Sequence, residues 1–144
     1  VSSRAKAGEW MKIHHIGYVV CNIEQGIELF RDTYGYKLLK EKTYDPTQHV
    51  WLALLASENN YRVELIQPCD ETSPSFDFMQ KGGGLHHFCY EVSDFEETIK
   101  ALKNKDHILF KRPVEAVLLD NRQVVFLFSK KDRKIIELVD KSGE

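Results

Sequence analysis

What the chain has little of narrows its class before any motif is read. Its 144 residues include only 3 cysteines (Cys21, Cys69 and Cys89), an odd number without C-x-x-C spacing. That argues against a disulfide framework and for a reducing compartment. It also lacks a charge excess: 20 basic residues against 22 acidic give a net charge of −2. No nucleic-acid or membrane partner is implied. No apolar run approaches membrane-spanning length and no signal peptide precedes the first expected strand, so the expected location is cytoplasmic. Residues 1–10 show no hydrophobic period and precede Met11, and are expected to be a disordered leader or tag. The remainder is long enough to bury one good core.

What is present is a repeat. Ile13-His14-His15-Ile16-Gly17-Tyr18-Val19-Val20 is echoed by Leu85-His86-His87-Phe88-Cys89-Tyr90-Glu91-Val92, the two histidine pairs lying 72 positions apart, half the chain. At the same offset Tyr18 meets Tyr90, Val20 meets Val92, Glu24 meets Glu96 and Ile27 meets Ile99. With slips of one residue, Lys37-Leu38-Leu39-Lys40 meets Ile108-Leu109-Phe110-Lys111, and Val63-Glu64-Leu65-Ile66 meets Ile136-Glu137-Leu138-Val139. Matches in one order indicate an internal duplication.

Each half reads β-α-β-β-β. In the first, Lys12 to Val20 is a strand. Asn22 and Gln25 open a helix through about Thr33, which Gly35 ends. Strands follow over Tyr36–Tyr44, Val50–Ala56 and Tyr61–Gln67. In the second, a strand from Leu85 to Val92 leads to a helix capped by Asp94 and Glu97, running to about Asn104. Strands follow over His107–Arg112, Gln123–Ser129 and Lys134–Val139. The connector from Pro68 to Gly84 carries a short helix opening at Ser73-Pro74, because proline suits a first turn. Its start is a candidate receptor for an anion such as a CoA phosphate, though a plain connector accounts for it as well. Gly82-Gly83-Gly84 lacks phosphate-loop context and reads as a flexible lead into the next strand. Residues 141–144 form a polar tail.

Adjacent histidines on a strand cannot share a face. The apolar face of Ile16, Tyr18 and Val20 is the better partner for the following helix, which turns His15 and Gly17 to the opposite side. In the second half the same reasoning groups His87, Cys89 and Glu91. Glu64 and Glu137 each stand opposite flanking Val, Leu or Ile side chains, an expensive place for a carboxylate unless it is paired or bound to a metal. Any one of these four residues alone is better explained as a hydrogen-bonded or edge residue. Two histidines and two glutamates at repeat-related places favour a metal site, since the carboxylates offset a divalent charge and imidazole suits first-row metals.

These stretches, with Ser73-Pro74, the run Val63-Glu64-Leu65-Ile66-Gln67-Pro68 and Ile135-Ile136-Glu137-Leu138, resemble in order the vicinal oxygen chelate superfamily. That superfamily includes glyoxalase I, methylmalonyl-CoA epimerase, extradiol dioxygenases and bleomycin-resistance proteins. The resemblance covers essentially Met11 to Asp140 and is closest to the epimerase and glyoxalase branches. It implies an α+β, glyoxalase/bleomycin resistance-type fold as a single domain over 11–140. Two tandem βαβββ modules, 11–68 and 84–140, would form a cupped mixed sheet around a metal site.

By the same resemblance His15, Glu64, His87 and Glu137 would hold one divalent ion (Zn, Ni, Co, Mn or Mg). These are the four residues the repeat selects. The implied activity is that of a lyase or isomerase, like lactoylglutathione lyase or methylmalonyl-CoA epimerase. It would transfer a proton beside a carbonyl or thioester through a metal-bound enediolate, with Glu137 as the base. The implied partners are a small-molecule thioester, hemithioacetal or related carbonyl compound and a second copy in a homodimer.

One departure stands out. Epimerases of this kind use a second catalytic Glu on the strand before that of Glu64, where this chain aligns Trp51, read here as an apolar pocket floor. His49 and Glu91 are the auxiliary candidates to replace it, and Arg122 is a candidate contact for a substrate anion. His49 is otherwise a surface loop residue, and Cys89 a small packing residue. Two other readings stay open: a metal-free small-molecule binding or resistance protein, and an Fe(II) extradiol dioxygenase. The intact four-residue set counts against both.

Overall fold

The computed structural model describes residues 11–141. The expected leader lies outside the described residues, as does all but Lys141 of the expected tail. Nine strands and three short α-helices are found there, an α+β composition. They divide into two compact units, one over His15–His86 and the other from His87 onward together with the segment ending at His14.

In the first unit β1 (Lys12–Val19) is followed by α1 (Ile23–Glu28), then β2 (Lys37–Asp45), β3 (Val50–Ala56) and β4 (Arg62–Pro68). The strands lie in the order β2-β3-β4-β1, with β1 parallel to β4 and the other pairings antiparallel. Asn22 caps α1 by accepting from the Gln25 N–H at 2.9 Å, as the sequence predicts. The helix does not run to Thr33 in α form. It changes to a π-helical turn over Leu29–Thr33, where the Tyr34 N–H donates to Leu29 O. This wider turn accompanies an aromatic cluster in which Phe30 meets Tyr18, Tyr34 and Tyr36 edge-on at 5.2–5.3 Å. Phe30, Ile23, Ala53, Leu55, Val63 and Leu65 form the core beneath α1, with Ile16, Tyr18 and Trp51 packed against it.

The second unit repeats the plan with β5 (Gly84–Val92), α3 (Phe95–Lys103), β6 (His107–Leu109), β7 (Val114–Ala116), β8 (Arg122–Ser129) and β9 (Lys134–Asp140). Its order is β5-β9-β8-β6, with β7 also on β8. Asp94 caps α3 through the Glu97 N–H at 3.2 Å. The expected strand His107–Arg112 is interrupted. β6 stops at Leu109, and β7 resumes on the same partner strand with the register shifted. Pro113 explains the break, because it has no N–H to give a ladder. Val92, Phe95, Val125, Leu127 and Leu138 form the core beneath α3.

The connector differs from expectation twice. α2 (Phe76–Gln80) begins beyond Ser73-Pro74, and Ser73 Oγ instead accepts from the Cys69 N–H and donates to the His49 carbonyl. Its hydroxyl holds the loop, and the helix starts at Phe76 rather than at Ser73-Pro74. Nor do the glycines act as a loose lead. Gly83 has φ +67°, and a Cβ there would come within 2.6 Å of the Val19 carbonyl. Close backbone approach requires glycine at this position. No helix among the described residues is long and apolar enough to cross a membrane.

Candidate functional site

Strand register places each half of the candidate site. In the first unit Glu64 is paired with Gly17 on β1 and with Leu54 on β3. Cross-strand partners share a face, so Glu64, Gly17 and Leu54 look one way while Val63, Leu65, Ala53 and Leu55 pack under α1. His15, two residues before Gly17, looks the same way as Glu64. It is fully buried, and its Nε2 lies 3.5 Å from Glu64 Oε1.

The second unit copies this residue by residue. Glu137 is paired with Cys89 on β5 and Phe126 on β8. His87, two residues before Cys89, is buried and places Nε2 3.0 Å from Glu137 Oε1. The Phe126 ring meets the His87 imidazole edge-on at 5.5 Å. Cys89 is buried among Leu119, Val124 and Val139, a packing position as expected.

Each unit thus presents one imidazole and one carboxylate on the face away from its helix, all four groups buried. Whether such pairs suit a metal ion can be tested on their spacing. Ligand atoms about 2.1 Å from a first-row ion sit roughly 3.0 Å apart at octahedral and 3.4 Å apart at tetrahedral angles. The observed separations are 3.0 Å, at one end of that range, and 3.5 Å, about 0.1 Å beyond the other. Two nitrogens and two carboxylate oxygens also suit Zn, Ni, Co or Mn. The donor set fits a divalent ion.

Comparison with known proteins agrees with the geometry. The profile of the glyoxalase/bleomycin resistance protein/dioxygenase superfamily matches residues 14–126, most of the chain. The chain belongs to this superfamily. Within it, the mitochondrial methylmalonyl-CoA epimerase of Dictyostelium discoideum is 25% identical over 133 residues, covering 90% of this chain and 78% of its own. The ethylmalonyl-CoA/methylmalonyl-CoA epimerase of Cereibacter sphaeroides is 31% identical over 85 residues, 58% of this chain and 62% of its own. The chain thus spans less than two thirds of that relative. The crystal structure of methylmalonyl-CoA epimerase from Mycobacterium tuberculosis superposes with a TM-score of 0.82 at 24% identity, covering 97% of this chain and 93% of that one. It shares the fold.

The auxiliary residues of the superfamily reading fall in different places. Trp51 does not line the face of the His15–Glu64 pair. It packs on the α1 side, and the β3 residues on the Glu64 face are Val50, Leu52 and Leu54, all buried. Strand β3 therefore offers no carboxylate on that face. His49 lies in the turn before β3 with φ +55°. Its Nδ1 meets the Tyr44 hydroxyl at 2.8 Å and its Nε2 meets Asp70 Oδ2 at 3.1 Å, so both ring nitrogens are engaged in tying the turn to the connector. Asp70 is held down to about 2, by the Thr72 hydroxyl and N–H first and His49 next.

Glu91 and Arg122 are brought together. Arg122 Nη1 donates to Glu91 Oε2 at 2.8 Å. Alternation from Cys89 and Phe126 puts both on the face of the His87–Glu137 pair. The Arg122 hydrogen bond and charge hold the Glu91 carboxyl below its ordinary value, with His14 and Lys12 adding smaller pulls. A carboxylate so stabilised is a poor proton acceptor, which weakens Glu91 as a replacement base. Sequence reasoning missed this pairing, and it missed Phe126 beside His87. The offset of 72 from Leu54 would have found Phe126.

Proposed function

We propose that the protein is a metal-dependent epimerase acting beside the thioester carbonyl of an acyl-CoA. The observation that carries the reading is the pair of buried His–Glu couples at repeat-equivalent positions, in a superfamily whose matched relatives are named as methylmalonyl-CoA epimerases. His15, Glu64, His87 and Glu137 would together hold one divalent ion. Bound there, the ion would supply Lewis acidity that makes the hydrogen beside the carbonyl easier to remove.

The chain's own groups move the proton. Glu137 is the candidate base: it is buried, hydrogen-bonded by His87, and has Phe126 as its register partner. Low water access strengthens its interaction with a developing charge. Inversion also requires a proton to be delivered to the opposite face of the planar carbon. Since β3 carries only Val50, Leu52 and Leu54 on the Glu64 face, Glu64 itself is the candidate for that second transfer. The relatives' names favour a thioester over a hemithioacetal as substrate.

The test is exchange in deuterium oxide. Single-epimer methylmalonyl-CoA is incubated with the metal-loaded protein, and both deuterium at C2 and epimer ratio are followed by NMR. Deuterium incorporation with racemisation is the expected result. No exchange with methylmalonyl-CoA, alongside turnover of the methylglyoxal–glutathione adduct, would replace this reading with a glyoxalase.

A further inference from the structure

On the helix side of the sheet the two copies fill one place differently. In the first unit it is closed. Trp51 lies on the α1 side of β3, tilted against Tyr44 with ring centres 5.3 Å apart. Lys42 covers the indole, its Nζ 4.6 Å from the ring centre, and donates to Glu24 Oε2 at 2.8 Å. Counting forward by 71 or 72 positions, Trp51 becomes Gln123, Tyr44 becomes Glu115, Lys42 becomes Pro113 and Glu24 becomes Glu96. The sheet register agrees: Tyr44 is the partner of Trp51, and Glu115 is the partner of Gln123.

In the second unit the indole and the lysine above it have given way to shorter side chains. An open cleft of about 700 Å³ lies there, lined by Glu96, Lys111, Arg112, Pro113, Val114 and Gln123. Three of these, Glu96, Pro113 and Gln123, are the counterparts of Glu24, Lys42 and Trp51. Small-molecule sites usually span roughly 300–1,000 Å³. Gln123 shares a face with Val125 and Leu127 of the α3 core, so the cleft opens on the side of the sheet away from His87 and Glu137.

The lining specifies a chemistry. Among the described residues none of Glu96, Lys111, Arg112 and Gln123 has a hydrogen-bond or ion-pair partner. Lys111 and Arg112 are adjacent cations in the break between β6 and β7, and a guanidinium beside an ammonium suits a phosphate. Gln123 offers an amide donor and an acceptor, and Glu96 an acceptor, for a heterocycle edge or ribose hydroxyls. The first unit shows that a two-ring aromatic fits over this strand pair, because Trp51 sits there.

We propose that this cleft is a second ligand site, which binds a purine nucleoside monophosphate. The base takes the place of the indole, and the phosphate lies on Lys111 and Arg112. The site is independent of the acyl-CoA reading, since it uses none of the four candidate metal ligands and faces the other way.

The test is titration calorimetry with adenosine monophosphate, ribose 5-phosphate and inorganic phosphate. The proteins are wild type, Gln123→Trp and the double variant Lys111→Gln/Arg112→Gln. Wild type is expected to bind the nucleotide about tenfold or more tightly than the two ringless anions, the scale of burying one apolar ring. Gln123→Trp rebuilds the closed arrangement of the first unit and should abolish nucleotide binding. The double variant changes only exposed side chains, so it keeps the test valid should the tryptophan fail to fold; it should weaken nucleotide binding by about tenfold or more. No nucleotide binding by wild type, equal affinity for inorganic phosphate, or an affinity unchanged in either folded variant overturns the proposal.

Discussion

The two units share one frame and differ in what surrounds it. Both place a histidine two residues before the register partner of a glutamate, and both bury the pair. Around that shared frame the first unit is inert: Gly17, Val19, Val50, Leu52 and Leu54. The second carries Cys89, Glu91, Arg122, Val124 and Phe126 at the equivalent places. The second unit places the Glu91–Arg122 ion pair where the first packs Val19 and Val50.

The sharpest way to break this comparison is to change the two carboxylates separately. Glu137→Gln should slow exchange at C2 by about 10²–10⁴-fold, the usual contribution of a positioned base. Glu64→Gln should retain exchange but lose inversion, because proton removal and return are assigned to different halves. Equal loss of both processes in both variants would show the halves to be functionally equivalent. Deuterium NMR on single-epimer substrate reads the two processes in one experiment.

Exchanging the two solutions at the valine and ion-pair positions has a smaller effect, on stability. Placing Val19→Glu with Val50→Arg in the first unit should cost about 1–4 kcal/mol, since burying an ion pair where hydrophobes packed is unfavourable. Glu91→Val with Arg122→Val should be neutral or slightly stabilising, within about 1 kcal/mol. Urea unfolding of the two double variants checks both. A large loss from the second pair would mean that the ion pair is structural after all.

The smallest effect is on acid stability. Glu91 has a folded pKa below its ordinary 4.5, so its stabilising contribution is complete above that value and is lost as pH falls through the lowered one. Asp70 behaves alike in the first unit, between 3.8 and about 2. Thermal unfolding followed from pH 5 downward should therefore show a shallower slope for Asp70→Asn, and likewise for Glu91→Val/Arg122→Val.

The fold was readable because the chain states it twice. His15, His87, Glu64 and Glu137 can be aligned from sequence, and alternation along a strand then gives their faces. Reading failed where the face or the path depends on something other than alternation within one strand. Trp51 was assigned to the wrong face because the register of β3 against β4 decides it, and a slip of one residue turns every side chain over. The break after Leu109 was hidden because Pro113 follows residues that still read as a strand. Arg122 and Glu91 were each visible as charged residues, but they lie 31 positions apart and only the sheet brings them together. Gly83 read as flexible because the Val19 carbonyl that it accommodates lies far back in the chain.

The two His–Glu pairs are proposed to serve a single ion. Elemental analysis of protein purified without chelators tests it most directly, on wild type, His15→Ala and His87→Ala. One transition-metal ion per chain is expected in wild type, with its loss in either variant, whichever half is changed. Two ions per chain, with one lost in each variant, would mean that each pair binds alone. No metal in wild type, and no uptake of Ni, Co or Zn, would rule out a metal-binding role for the four residues.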